Sequence, residues 1–456
     1  MRIGIFYEHQ LPRPWAPDAE HRLLQDALEQ IEYADAIGVD YLWEVEHHFL
    51  EEYSHSSAPE VFLAAASQRT KRIRLGHGIV QTAPGYNHPA RVAERIAMLD
   101  LLSGGRCEFG SGESSSEAEL GGFLIDPERK RAAWEEGLRV ALRCLTEEPF
   151  TGHVGEFVTM PPRNVVPKPF QRPHPPLWLA CSRRDTIHLA AQHGIGALAF
   201  AFVDPEEARF WVDDYYETFA AECVPIGDAV NPNLACVTTF MCHPDEDEAV
   251  RRGLEGANFF GYSLAHYYVF GRHRPGVTDV WSEFASRRHE RGYDPEAVAA
   301  ASGASDRLGA KVVTDAAQGL RGAVGTPDQV REYLRRYEAC GVDQVILCFQ
   351  AGRNRHEHIM ESLEILGREV LPEFAERADR AEREKQARLA PVVERALARK
   401  PASDHPPLPA DDYSFPAIPR AMADRAGADD FHRMLDTFAE RSAQGPGGLD
   451  ELLRGG

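Results

Sequence analysis

Residues 2–14 of the chain, Arg-Ile-Gly-Ile-Phe-Tyr-Glu-His-Gln-Leu-Pro-Arg-Pro, decide between the two folds that its pattern allows. Residues 2–7 form a short apolar run typical of a buried strand, and a predicted amphipathic helix follows at 18–37. The turn between them lacks Gly-x-Gly-x-x-Gly, the motif of a doubly wound dinucleotide-binding sheet. We therefore expect this strand to be the first of a (β/α)8 barrel.

The rest of the first 375 residues repeats the same strand–helix unit. Each further predicted strand is short and apolar and is followed by a helical pattern. These strands are predicted at 40–46, 73–81, 106–110, 177–181, 195–201, 233–241 and 343–349. Counting residues 2–7 as the first, the set is complete for a barrel. The predicted fold class is α/β, with a (β/α)8 TIM barrel over residues 1–375.

Two segments depart from the repeat. Residues 255–321 form an aromatic-rich insertion before the last βα unit, where we expect a lid or binding loop. The alternative is an extra helix pair remote from the chemistry. Residues 376–456 form a C-terminal extension, with a charged helix pattern followed by a proline-rich stretch. We expect this extension to wrap around the barrel or a partner subunit, with disorder as the alternative.

The composition excludes several classes of function. With 50 basic and 71 acidic residues, the formal charge is −21, which does not suit a nucleic-acid or anionic-membrane surface. No apolar run approaches the length of about 18 residues that spans a membrane, and the first residues do not resemble a signal peptide. The eight cysteines include no Cys-x-x-Cys pair, which favours reduced thiols. We expect a cytoplasmic protein with no nucleic-acid, membrane or metal partner.

Polar residues gather where the predicted strands end, and that face carries the active site of a barrel. The candidates are Tyr7, Glu8 and His9 after the first strand, Glu46, His47 and His48 after the second, and Gln81 after the third. One histidine near neutral pH can act as an acid, a base or a hydrogen-bond donor. Such a histidine pair also occurs for purely structural reasons, and a metal site is a further alternative.

Two stretches at the ends of the fourth and fifth strands suit a phosphate group. The first is a glycine-rich turn leading into a helix, and it contains Ser114, Ser115 and Ser116. The second is a helix start, and it contains Ser182, Arg183 and Thr186. Backbone N–H groups, hydroxyls and a helix dipole all favour an anion, although helix capping explains each stretch equally well. Together they favour a phosphorylated cofactor such as flavin mononucleotide (FMN).

Seven motifs, in order along the chain, carry a family resemblance. They are EHHF at 46–49, RLG at 74–76, HPARVAE at 88–94, LD at 99–100 with SGGR at 103–106, FGSG at 109–112, PLWLA at 176–180 and GTPDQV at 325–330. As a set they resemble the bacterial luciferase-like flavin-dependent monooxygenases, the family that includes long-chain alkane and limonene monooxygenases. The resemblance covers about residues 1–372, and no single motif is specific by itself.

The resemblance implies a dimeric barrel that binds reduced FMN at its mouth and adds O2 at the flavin C4a position. Some members use the deazaflavin F420 instead. His47 is implied as the catalytic histidine, beside Glu46, and a non-proline cis peptide is implied at Gly78-Ile79. Contacts to the flavin phosphate are implied at Glu113, Arg131, Arg183 and Thr186. Luciferase has an arginine where this chain has Glu113, so the role of Glu113 would pass to the neighbouring serines and to Arg183 or Arg184.

We therefore predict an FMN-dependent monooxygenase that uses reduced flavin and O2 to oxygenate a small, largely apolar substrate. A separate NAD(P)H:flavin reductase is expected to supply the reduced flavin, and a homodimer is expected. The predicted substrate contacts are Tyr7, His9, Gln81, Phe259, Tyr262 and Tyr267. The alternatives are F420-dependent hydride transfer, a non-catalytic flavin-binding partner and a metal-dependent hydrolase.

Overall fold

The computed structural model divides the chain into two compact units, Met1–Asp404 and His405–Gly456. It describes residues 1–200, 202–294, 312–313, 318–402, 405–410, 413–415, 433, 436–437 and 439–440. Parts of three predicted segments lie outside these residues: position 201 of the sixth strand, most of 295–317 in the insertion, and most of the extension after 415. The barrel and every side chain discussed below belong to the first unit.

Eight parallel strands close into a barrel, which confirms the predicted fold class. They are β1 (Arg2–Tyr7), β2 (Tyr41–Glu44), β3 (Arg74–His77), β4 (Cys107–Gly112), β5 (Leu177–Cys181), β6 (Gly196–Ala199), β7 (Leu234–Cys242) and β8 (Gln344–Cys348). Each strand pairs with the next, and β8 pairs with both β7 and β1, so the sheet has no free edge. All eight carboxyl ends therefore open onto one face of the molecule.

Helices surround the strands. Their bounds are α1 Ala19–Ile37, α2 Pro59–Arg69, α3 Pro89–Ser103, α4 Glu117–Gly122, α5 Lys130–Thr146, α6 Arg184–Gln192, α7 Pro205–Glu222, α8 Glu246–Ala265, α9 Val280–Arg287, α10 Pro327–Ala339, α11 His356–Ile365 and α12 Leu371–Arg399. Gly38 ends α1 in the left-handed conformation, and Thr326 begins α10 with a capping box to Gln329. Both signals are present in the sequence, and the bounds of α1 agree with the helix predicted at 18–37.

Large side chains fill the barrel interior. The indole of Trp43 lies over Gly76, where an added Cβ would come within 2.3 Å of the ring, so no larger residue fits there. Arg74 and Glu108 form an interior ion pair, and the Trp178 indole N–H donates to the same carboxylate at 2.6 Å. The barrel is thus a packed core, and ligands have access only at its ends.

The described part of the insertion forms a small second core beside the barrel. Its members are Phe259 and Tyr262 of α8, Val280, Trp281 and Phe284. Between α8 and α9, a π-helical turn at His266–Phe270 brings the insertion back towards the barrel mouth. The insertion is therefore a packed helical element with its own apolar contacts.

The C-terminal extension continues the last barrel helix. Helix α12 runs without a break from Leu371 to Arg399, across the position where the composition changes. Lys385 binds Asp343 at 2.9 Å, and Lys400 binds Asp228 at 2.5 Å. Residues 376–400 therefore pack along the barrel, at the end opposite its mouth, where β8 begins.

Candidate active site

His47 lies at the mouth of the barrel between two carboxylates. Because β2 ends at Glu44, His47 and His48 belong to the following loop and are free of the alternation of a strand. His47 Nδ1 is 3.0 Å from Glu119 Oε1, and His47 Nε2 is 3.5 Å from Glu8 Oε2. Two acidic groups thus face the two ring nitrogens from opposite sides.

Glu119 is held by three donors. The Ser114 hydroxyl donates to its Oε2 at 2.5 Å, while the backbone N–H of His48 shares Oε1 with His47. Burial raises the pKa of Glu119, but the charge of His47 and these hydrogen bonds outweigh it and lower the pKa below its usual range. The carboxylate stays ionised and orients the imidazole. Glu119 is not among the residues predicted from the sequence.

Glu8 carries the opposite perturbation. Burial raises its pKa to about 7, although His47 and a 2.9 Å hydrogen bond from Tyr53 to Oε1 both lower it. Its Oε2 is buried and has no hydrogen-bond partner. Burial lowers the pKa of His47, yet Glu8 and Glu119 together raise it to about 9. At neutral pH the imidazole is therefore a cation.

Glu46 anchors the loops around this pair. Its carboxylate accepts hydrogen bonds from the Gln81 backbone N–H at 2.7 Å and from Asn87 Nδ2 at 2.9 Å. It also lies 3.0 Å from His48 Nε2. Glu46 thus connects the loops after β2 and β3 and faces His48 rather than His47. Gln81 stays at the mouth, and its side-chain oxygen is buried without a partner.

The loop after β2 also holds the insertion in place. Glu52 is fully buried and accepts backbone N–H bonds from Arg13 at 2.9 Å, Val280 at 2.5 Å and Trp281 at 3.0 Å. In the same loop Phe49 has a positive φ of 65°, a strained conformation for an aromatic residue. These contacts fix the insertion against the loop that carries His47.

Tyr53, Phe202 and Phe260 form an aromatic wall at the barrel mouth, where the sequence predicts Phe259 instead of its neighbour Phe260. Phe260 packs on Tyr53 with ring centroids 5.5 Å apart and on Phe202 at 5.3 Å. The predicted contacts Phe259 and Tyr262 instead pack in the second core. Successive side chains on a helix point about 100° apart, and composition alone does not say which of two adjacent aromatics faces the barrel.

The π-helical turn adds two more aromatic rings. Tyr267, a predicted contact, and Tyr268 both lie beside Tyr53, with centroid distances of 6.4 and 6.5 Å. Tyr268 is also close to the carboxylates of Glu8 and Glu119, which add to burial in raising its pKa. The wall therefore reaches the acidic groups around His47.

Two predicted contacts lie away from the mouth. The Tyr7 hydroxyl donates to Gln30 of α1 at 3.0 Å, so this side chain points out of the barrel. His9 is fully buried against Phe62 of α2 and lies 3.0 Å from Glu44. Because strand neighbours alternate in direction, Tyr7 turns outwards, and the positive φ of His9 takes its side chain under α2. The structure does not place Tyr7 and His9 with the other candidates.

A cationic cluster occupies the ends of β4 and β5. Lys130 donates to the Ser114 carbonyl at 2.6 Å, and Arg131 pairs with Glu113 at 2.5 Å. Burial lowers the pKa of Lys130, as do the nearby charges of Arg131 and Arg183, while Glu113 opposes them. Lys130 thus lies close to two other cations, of which Arg131 pairs with Glu113 and Arg183 pairs with Asp185 at 3.2 Å. Lys130, the residue before the implied Arg131, was missed from the sequence.

Some of the predicted phosphate contacts already make hydrogen bonds within the protein, and others are exposed to solvent. Ser114 is committed to Glu119, and Ser116 caps α4 by accepting from the Ala118 N–H at 3.2 Å. Thr186 accepts from the Arg183 backbone N–H at 3.4 Å, as in a capping box, and donates to the Arg183 carbonyl at 2.7 Å. Those three are explained by local structure. The residues that stay exposed are Ser115, Ser182 and Arg183.

The implied cis peptide is absent. The cis bonds among the described residues all precede prolines, and Gly78–Ile79 is not one of them, so this expectation is corrected. The Gly78 N–H donates to the Glu44 carbonyl at 2.7 Å, which fixes the chain between β3 and the short strand Val80–Gln81. An added Cβ at Gly112 would lie 2.9 Å from Ile79 Cδ1, so the glycine admits that side chain.

The described residues lack two further features. They contain no group of three or more His, Cys, Asp or Glu side chains placed to hold a metal ion. Among the described helices, none is both long enough and apolar enough to cross a membrane.

The barrel mouth thus holds a histidine between two carboxylates and a cationic cluster at the carboxyl ends of its strands. A family model described as luciferase-like monooxygenase matches residues 1–344. The chain belongs to this family, and it is a flavin-dependent oxidoreductase of the monooxygenase type.

Relatives differ in how much of their length they share with the chain. The oxygenase component of the flavin-dependent trigonelline monooxygenase of Acinetobacter baylyi is 27% identical over 384 residues, covering 82% of this chain and 96% of that protein. An uncharacterized protein of Sinorhizobium fredii, y4wF, is 35% identical over 179 residues, 39% of this chain and about half, 51%, of that protein.

A solved structure shows the same fold. It is the oxygenating constituent of 3,6-diketocamphane monooxygenase from Pseudomonas putida, a type II Baeyer–Villiger monooxygenase in complex with FMN. Its TM-score is 0.59 at 20% identity, covering 82% of this chain and 98% of that one.

Proposed function

We propose that the protein is an FMN-dependent monooxygenase that uses reduced flavin and O2 to oxygenate a small, largely apolar organic substrate. The observation that carries the proposal is the position of His47 at the barrel mouth, between the carboxylates of Glu8 and Glu119 and beside an aromatic wall and a cationic cluster. The two named relatives described above are themselves flavin-dependent or FMN-bound oxygenases.

The residues at the mouth fit a flavin phosphate. Lys130, Arg131 and Arg183 supply the donors that a phosphate dianion needs, next to exposed serine hydroxyls. Glu113 occupies Arg131 and repels a phosphate, so it would have to turn away when the cofactor binds. Its second oxygen is buried without a hydrogen-bond partner, so the carboxylate is poorly satisfied where it lies. When bound, reduced FMN would supply the electrons that activate O2.

The chain itself supplies a proton and a dry environment. His47 is charged at neutral pH and holds a proton at Nε2, while Glu119 fixes its ring through Nδ1. The rings of Tyr53, Phe260 and Phe202 exclude water from the same region and offer an apolar surface to a substrate. Acid catalysis of this kind contributes about 10²–10⁴-fold to a rate.

A separate reductase is the proposed source of reduced flavin. The trigonelline relative is named as the oxygenase component of its system, which supports a two-component arrangement here. The eight cysteines are all free, which is in keeping with the reducing cytoplasm in which such a reductase would work.

The face formed by α2 and α3 is the proposed homodimer surface. It exposes the apolar side chains Val61, Met98, Leu101 and Leu102, with Val166 and Phe170 beside them. A groove of about 420 Å³ runs along this face and is lined by Met98, Leu102 and the Glu60–Arg95 ion pair. An apolar patch rimmed by both signs of charge is self-complementary, which suits a second copy of the chain.

An anaerobic titration tests the cofactor. The protein is titrated with reduced FMN, reduced riboflavin and reduced F420 in turn, and binding is followed by fluorescence. The proposal predicts tight binding of reduced FMN and weaker binding of riboflavin, which lacks the phosphate. Preference for F420 would replace the proposal with hydride transfer, and binding of neither would leave a non-catalytic partner role.

A further inference from the structure

Glu8 is a buried carboxyl group that the proposed chemistry does not yet use. Its side chain is 4% exposed, Oε1 is held by Tyr53, and Oε2 has no hydrogen-bond partner. That free oxygen is 3.5 Å from His47 Nε2, the nitrogen that Glu119 leaves open. A buried acidic oxygen without a partner is costly unless it serves a neighbour, and the only cation placed to be that neighbour among the described contacts is His47.

The two carboxylates around His47 are not equivalent. Glu119 is satisfied by three donors and stays ionised, whereas Glu8 has one donor and titrates near neutrality. The other groups that face the Glu8–His47 pair are Glu44, Glu46, Tyr53, Tyr268 and Cys348. None of these supplies a positive charge, so the pair shares its protons as a coupled unit.

We propose that Glu8 recharges His47 with a proton. This rests on the proposed function, in which His47 gives up its Nε2 proton at the barrel mouth. The vacated Nε2 lone pair then takes the proton of the Glu8 carboxyl, so one O–H bond breaks, one N–H bond forms, and Glu8 becomes a carboxylate. Solvent returns a proton to Glu8, and Glu119 keeps the ring in place throughout. Glu8 is thus a positioning residue that acts through His47.

The coupling is tested first in the flavin-free protein. Histidine is labelled with ¹³C, the His47 signal is identified by its loss in His47→Asn, and its shift is followed from pH 5 to 10. The wild type should show two steps, one near pH 7 from Glu8 and one near pH 9 from His47 itself. In Glu8→Gln the step near pH 7 should vanish and the remaining step should move to lower pH.

Two further variants test whether the lower step in the His47 titration comes from Glu8. Glu20→Gln removes a carboxylate from another histidine pair, Glu20–His55, and should leave the His47 titration unchanged. Tyr53→Phe removes the donor that lowers the pKa of Glu8, so it should move the lower step to higher pH even if Glu8→Gln does not fold. A single His47 step in the wild type, or the same two steps in Glu8→Gln, would overturn the proposal.

The kinetic consequence separates this inference from the proposed function. With reduced FMN bound, the rate of reaction with O2 should show a pH limb near 7 that is absent in Glu8→Gln. Failure of reduced FMN to bind would sink the proposed function, yet the His47 titration would still report on Glu8. Normal binding of reduced FMN with identical pH–rate profiles in both proteins would sink the inference alone.

Discussion

Glu119→Gln isolates the charge that keeps His47 protonated. The substitution preserves the shape of the side chain but removes the negative charge 3.0 Å from His47 Nδ1. A hydrogen bond to a charged group is worth about 1.5–3 kcal/mol, and about 1.4 kcal/mol corresponds to one pKa unit. The pKa of His47, raised to about 9 in the wild type, should therefore fall by about 1 to 2.

The loss of rate in Glu119→Gln should be larger at pH 8 than at pH 6, whereas a general structural defect would slow the reaction equally at both pH values. At pH 8 about nine-tenths of wild-type His47 is protonated, against about one-tenth to one-half in Glu119→Gln. A step that needs this proton should slow about two- to tenfold at pH 8 and change less than about twofold at pH 6, where both proteins are protonated. Stopped-flow O2 reactions of the FMN-loaded proteins measure both values.

A carboxylate beside a different histidine provides the control. Glu20→Gln, at the exposed pair with His55, should leave the rate unchanged at both pH values. If Glu119→Gln slows the reaction by one factor at pH 6 and pH 8, the residue supports the fold of the loop and does not set the charge of His47. An unchanged rate at pH 8 would remove His47 protonation from the mechanism.

Three further substitutions test the cofactor site, the extension and the dimer face. Arg183→Ala should weaken reduced FMN about tenfold in an anaerobic titration, because Arg183 lies beside Lys130. Arg184→Ala should not, because the Arg184 guanidinium is held by Asp214 of α7; equal losses would misplace the phosphate site. Lys385→Met should lower the free energy of unfolding in urea by about 1–3 kcal/mol, because it removes the cation from a largely buried Asp343 that keeps its hydrogen bonds from Tyr216 and Leu234. The exposed Arg380→Met should cost less than about 0.5 kcal/mol, and equal costs would show that α12 adds little. Met98→Glu should convert a dimer into a monomer in light scattering, and an unchanged dimer would place the interface elsewhere.

The barrel was predictable because its information is local. Each strand is a short apolar run, and helices begin and end at capping residues such as Thr326 and Gly38. The rule that barrel sites lie at the carboxyl ends of strands then places His47 and Gln81 at the mouth without any coordinates. The same rule brings residues 114–131 and 182–186 towards one end of the barrel.

The partners of His47 were not predictable in the same way. Glu119 is 72 residues away along the chain, and its role depends on how the turn after β4 folds back over β2. Choosing Phe260 over Phe259 depends on the rotation of α8 against the barrel. The outward direction of Tyr7 and the ordinary bond at Gly78–Ile79 are likewise set by tertiary packing, which neither periodicity nor family resemblance specifies.

The most direct test of the central claim is a stopped-flow absorbance experiment at pH 7 on the wild type and His47→Asn. Each protein is loaded anaerobically with reduced FMN and mixed with O2. The account predicts that both bind the cofactor, and that the wild type shows a transient spectrum distinct from reduced and oxidised flavin which decays faster than in His47→Asn. Reoxidation of wild-type-bound FMN in one phase, at the rate of free reduced FMN and unaltered by the substitution, would contradict the account.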